Sequence, residues 1–129
     1  MKAQAAVEYL IMVGVILAIA IPIFYYSLTY SSESVAISKS KEAAEAIASG
    51  VDYVYSLGEG TRTTVAIDIP TNVKESYILD NEIGFRISTS AGITDVYAMS
   101  MTNVTGSLPD TPGRHFIVIK HLGDGVVIE

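Results

Sequence analysis

Apolar and polar positions divide this chain into three stretches with different periods. From Leu10 to Phe24 there is no charged residue, and the apolar side chains fall on every face of the helix that such a run predicts. Between Val35 and Leu57 the pattern becomes one-sided. Ala44, Ile47, Ala48, Val51, Val54 and Tyr55 recur at spacings of three and four, which places them on one stripe. Lys41, Glu42, Glu45, Ser49 and Asp52 fall off that stripe. Beyond Gly60 the period shortens to two, and short segments rich in β-branched residues alternate with turn residues.

These patterns predict one long helix from about Gln4 to about Leu57, stopped by Gly58 and Gly60. Strands are expected near Thr61–Ile69, Val73–Leu79, Ile83–Thr89, Thr94–Met101, Arg114–His121 and Val126–Ile128. Pro70-Thr71-Asn72, Asp80-Asn81, Ser90-Ala91-Gly92 and Gly123-Asp124-Gly125 supply the turns. The stretch from Val104 to Gly113, with Pro109 and Pro112, is expected to be a long exposed loop. The fold class that follows is α+β. A long N-terminal α-helix, apolar in its first half, packs by its second half on a small antiparallel β-sheet or β-sandwich head.

The apolar run has about fifteen residues and would span roughly 23 Å, short of a hydrocarbon core of roughly 30 Å. Tyr9, Tyr25 and Tyr26, as interfacial aromatics, bring it close to a full span. Pro22 removes one helical hydrogen bond, and Gly14 offers a point of close approach to a neighbouring helix. Ser27 to Ser34, rich in Ser, Thr and Tyr, is either a flexible joint or the exit from the membrane. A secretory signal would need an Ala-x-Ala pattern after the run, where Phe24-Tyr25-Tyr26-Ser27-Leu28 stands instead.

Composition narrows the functional classes. The 129 residues leave room for one helix-plus-head unit and no second large domain. The formal net charge of −6 argues against nucleic acid or anionic lipid as the main partner. There is no cysteine, so disulfides, thiolate metal sites and cysteine nucleophiles are all absent. His115 and His121, the two histidines, share one strand face too far apart for a common metal. Asp68, Asp80, Asp95 and Asp124 read as turn or solvated residues, and no phosphate loop, HExxH or Gly-x-Ser-x-Gly motif occurs. No catalytic residue, metal ligand or cofactor is therefore expected. Asn103-Val104-Thr105 is the one Asn-x-Ser/Thr sequon, which makes Asn103 a candidate N-glycosylation acceptor.

One residue departs from the pattern of the first stretch. Glu8 stands at the mouth of the apolar helix, where an ionised carboxylate is costly, roughly +2.5 kcal/mol or more at a bilayer centre and less near its surface. Such a group either reaches back to the interface or is neutralised by a partner.

The short leader Met1-Lys2-Ala3, then Gln4, then Glu8 four positions later at the head of an apolar helix, resembles the archaeal type IV pilin-like proteins with a class III signal peptide. The motif of that family is Gln-x-Ser-x-Glu-x-x-x-Leu, matched here by Gln4, Ala6, Glu8 and Met12, so its Ser and Leu are replaced. The resemblance implies a leader at residues 1–3, a filament-core helix at 4–34 and a head at 35–129, of which 35–57 continue the helix and 61–129 form the β domain. It implies cleavage between Ala3 and Gln4 by a prepilin peptidase, and export by an assembly ATPase with its membrane platform. Glu8 would then meet the new amine of Gln4, on its own or an adjacent subunit. The core of the filament would be built from Leu10, Ile11, Met12, Val13, Val15, Ile16, Leu17, Ile19, Ile21, Ile23 and Phe24.

The expected function is therefore that of a structural subunit of a surface-adhesion filament: a homopolymer assembled from a single-pass cytoplasmic-membrane precursor. Two other classes share this N-terminus. One is a bitopic membrane protein whose β head binds a partner without polymerising; the other is a minor pilin or a pseudopilin of a secretion device.

Overall fold

The computed structural model describes residues 2–129, and the chain folds as α+β. A long helix, α1 (Lys2–Leu57), precedes seven strands: β1 (Arg62–Ile69), β2 (Val73–Leu79), β3 (Glu82–Thr89), β4 (Gly92–Met99), β5 (Val104–Gly106), β6 (Gly113–Leu122) and β7 (Gly125–Ile128). The chain divides into two compact units, Met1–Glu33 and Ser34–Glu129.

The N-terminal unit is helical throughout its described residues. Alanine, leucine and methionine in its first turns are strong helix formers, and α1 continues through Pro22. Thr29, a weak helix former, turns its Oγ1 back to donate to the Tyr25 carbonyl at 3.1 Å, one turn earlier.

The second unit holds two sheets. The first has the order β1-β6-β7-β5, in which β5 and β7 are parallel and the other pairs antiparallel. The second is the meander β2-β3-β4. Leu79 lies opposite Glu82, which leaves Asp80 and Asn81 as a two-residue turn, with Asp80 in the left-handed region at φ 53°. That turn ties the two sheets together. The Asp80 carbonyl accepts from the Val104 amide, and the Asn81 carbonyl from the Ser100 amide, each at 2.8 Å.

The core lies between the second half of α1 and the inner faces of both sheets. Ala44, Ile47, Val51 and Val54 meet Ile67, Ile117, Ile119 and Val126 of one sheet, and Ile83, Phe85, Ile87 and Val96 of the other. Burying each of the larger side chains contributes roughly 1.5–3 kcal/mol. The exposed Lys41–Glu45 pair at 3.8 Å contributes only a few tenths. Packing therefore sets the stability of this unit. α1 ends at Gly58, whose φ of 99° suits glycine and whose amide reaches the Val54 carbonyl at 3.2 Å.

Four details differ from the sequence expectations. The stretch expected as a loop from Val104 to Gly113 contains β5, because the Val104 side chain is buried and the segment finds a parallel partner in β7. The fourth strand runs from Gly92 to Met99, and at Met101 the chain leaves the ladder to bond α1 instead. Tyr55 is not part of the buried stripe. It is 46% exposed, and its ring leans on that of His121 with centroids 5.6 Å apart, at the rim of the core. Gly50, which carries no hydrophobic signal, is buried in its place. A Cβ there would come within 2.7 Å of Ile119 Cδ1 and 2.9 Å of Val65 Cγ2, so glycine is what allows α1 to approach β1 and β6.

Candidate functional site

The N-terminal unit concentrates the residues that the sequence singles out. Ala3, Gln4 and Glu8 are exposed helical residues in the first two turns of α1. Gln4 and Glu8, four apart, lie one above the other on the same helix face. Each Cα–Cβ bond of a helix tilts toward its N-terminus, so the Glu8 carboxylate is carried back toward Gln4. The first turn contains no acidic residue, so Glu8 is the first negative side chain met along the helix.

From Leu10 to Phe24 the helix is apolar on every side and largely exposed. Leu10, Ile11, Met12, Val15, Ile16, Leu17, Ile19, Ile21, Ile23 and Phe24 are all more than half exposed, and Val13 is half-buried. Soluble monomers rarely expose a continuous apolar patch of more than a few hundred Å². This surface calls for apolar surroundings over its whole circumference, a lipid bilayer or other helices. The helix is long and apolar enough to cross a membrane.

Chemical groups in the second unit are dispersed. His115 Nε2 lies 2.8 Å from the Thr111 carbonyl oxygen, while the His121 ring meets that of Tyr55 at a tilt of 55°. Asp68 pairs with Arg114 at 4.0 Å and Asp95 with Arg86 at 3.5 Å, both at the surface. Asp80 and Asp124 occupy turns. Among the described residues, no group of three or more His, Asp or Glu is placed to hold a metal ion.

On the outer face of the three-stranded sheet, Tyr77 lies across Gly84, its cross-strand partner, where any Cβ would overlap the phenol ring. The Tyr77 hydroxyl donates to Glu82 Oε1 at 2.7 Å, and the Arg86 guanidinium sits 5.5 Å from the ring centroid. Burial first, and the Glu82 carboxylate second, raise the Tyr77 phenol well above its ordinary range. This cluster braces the hairpin and holds no nucleophile–base pair.

Asn103 is exposed in the segment entering β5. It borders an open groove of about 460 Å³ lined by Glu59, Thr105, Leu122 and the β6–β7 turn through Val127. The sequon itself was legible in the sequence. Its setting was not, because β5 is only three residues long and each of its residues pairs with one 22 positions further on. The adjacent β-branched residues Val104 and Thr105 are the one local hint of a strand.

No known family, curated protein or solved structure matches this chain.

Proposed function

We propose that this chain is the structural subunit of a type IV pilus-like extracellular filament, of the archaeal class that carries a class III signal peptide and serves surface adhesion. The observation that carries this reading is the helix that is apolar and exposed on every face, with one carboxylate, Glu8, a turn after Gln4. Such a helix can pass from lipid to the core of a helical polymer at little cost, because helix–helix packing replaces lipid contacts and no large apolar surface meets water.

Glu8 gives the transfer selectivity. Cleavage at Ala3–Gln4 falls in the first helical turn, whose amides have no intrahelical partners and which unwinds most readily. The new amine at Gln4 then stands one turn before the Glu8 carboxylate, or meets that of a neighbouring subunit. In an apolar core the two charges attract strongly, and either one alone is costly. The partners of the chain are copies of itself, the membrane that holds the precursor, a prepilin peptidase and an assembly ATPase with its platform.

The test is the N-terminal residue of the protein recovered from shed surface filaments. Gln4 is expected. Met1 as first residue, or the protein confined to membranes with no filaments, would return the chain to the class of bitopic membrane proteins with a β head.

A further inference from the structure

Val104 is 4% exposed, its side chain turned into the core, while Asn103 and Thr105 on either side are exposed. In an extended segment neighbouring side chains alternate, so Asn103 and Thr105 both face outward. The three asparagines differ in how they are held. The Asn81 Nδ2 donates to the Ser100 carbonyl at 3.2 Å, and the Asn72 Oδ1 accepts from Thr71 Oγ1 at 3.2 Å. The Asn103 carboxamide has no such partner among the described residues. The acceptor amide and the sequon hydroxyl are thus presented together on one outer face, open to a modifying enzyme.

We propose that Asn103 is glycosylated, its carboxamide taking a sugar chain from a lipid-phosphate-linked oligosaccharide. A bond forms between Asn103 Nδ2 and the anomeric carbon of the first sugar, and the bond from that carbon to the lipid phosphate oxygen breaks. The amide gives up one proton, and the phosphate leaves with the lipid. The open groove beside Asn103 receives the first sugars. The Glu59 and Asp124 carboxylates at its edge accept from sugar hydroxyls, and Leu122 offers an apolar surface for a ring face. The glycan would shield the short parallel strand β5, whose other edge has no partner in its own sheet. The inference rests on the proposed function only in placing the head on the outer side of the membrane.

The experiment is peptide mass spectrometry of the full chain recovered from filaments and from membranes of its cell of origin. The Asn72 and Asn81 peptides serve as internal references. The Asn103 peptide is expected to carry a mass increment made of whole sugar units, and the other two none. Asn103→Gln and Thr105→Ala should each lose the whole increment, while Thr105→Ser, which preserves the sequon hydroxyl, keeps it. An unmodified Asn103 peptide, or an increment that survives Asn103→Gln, overturns the proposal. The two readings fail separately. Unmodified Asn103 in filaments that begin at Gln4 sinks the glycan alone, and a glycan on a chain that begins at Met1 and forms no filaments sinks the filament alone.

Discussion

The Asp52 carboxylate accepts a hydrogen bond from the Met101 backbone amide at 2.7 Å, joining α1 to the segment that leaves β4. The two residues are 49 positions apart, and this bond fixes where the chain quits one sheet on its way to the other. Asp52→Ala leaves the amide without its acceptor. A charge-assisted bond contributes more than a neutral one, and partial exposure of this one brings the expected loss to about 1 kcal/mol. Asp52→Asn keeps an oxygen acceptor and should lose less. Denaturant unfolding of the detergent-solubilised chain separates the two, and equal loss in both variants would refute the account.

Gly50 packs closely against the Ile119 and Val65 side chains of the four-stranded sheet. Gly50→Leu forces apart α1 and the Ile119 and Val65 side chains and should destabilise by about 1–3 kcal/mol. Gly50→Ala is milder, because the atoms it meets are methyl groups and alanine favours the helix by about 1 kcal/mol. The expected order in thermal unfolding is wild type, then Gly50→Ala, whose helix gain offsets only part of the displacement of Ile119 and Val65, with Gly50→Leu well below. A Gly50→Leu variant as stable as wild type would show that the contact is loose.

Tyr77 makes stability depend on alkaline pH. Its folded pKa lies above the unfolded value of about 10, so its contribution is fully present below that pH. The contribution declines as pH rises above about 10 toward the folded pKa, because the unfolded chain ionises first. Tyr77→Phe should remove this part of the alkaline loss while costing some stability at neutral pH through the lost bond to Glu82. Spectrophotometric titration should find a phenol that ionises at higher pH than a free tyrosine, absent from the variant.

On the proposed filament function, Glu8→Ala separates insertion from assembly. Removing a carboxylate makes the helix more apolar, so the amount of protein in the membrane should not fall. Assembly should fall steeply, because an amine left alone in an apolar core costs roughly 3–5 kcal/mol, about a hundredfold or more in a binding constant. Counting filaments against membrane-bound precursor in the same cells reads both. Normal filament numbers would remove Glu8 from the mechanism.

Much of this protein is decided by its one-dimensional pattern. An uncharged run from Leu10 to Phe24 forms a helix with no polar face, whatever surrounds it, and Glu8 is conspicuous because nothing near it is charged. The stripe at Ala44–Val54 and the alternation in Ile83, Phe85 and Ile87 fix which faces are buried, because helical and strand periods translate directly into sides. Two-residue turns such as Asp80-Asn81 fix the hairpins for the same local reason.

What only the tertiary structure decided is long-range. The parallel pairing of β5 with β7 rests on three residues whose partners lie far along the chain. The burial of Gly50 depends on how near α1 comes to Ile119, and glycine carries no hydrophobic signal to announce it. Tyr55 has the spacing of a core residue, yet it falls near the end of α1, where the His121 ring of β6 leans on it and nearly half of it stays exposed. Asn103 and Thr105 acquire a common outward face because Val104 is drawn into the core. Local propensity sets the elements and their faces, whereas close approach and strand partnership are settled by packing between segments that the sequence keeps apart.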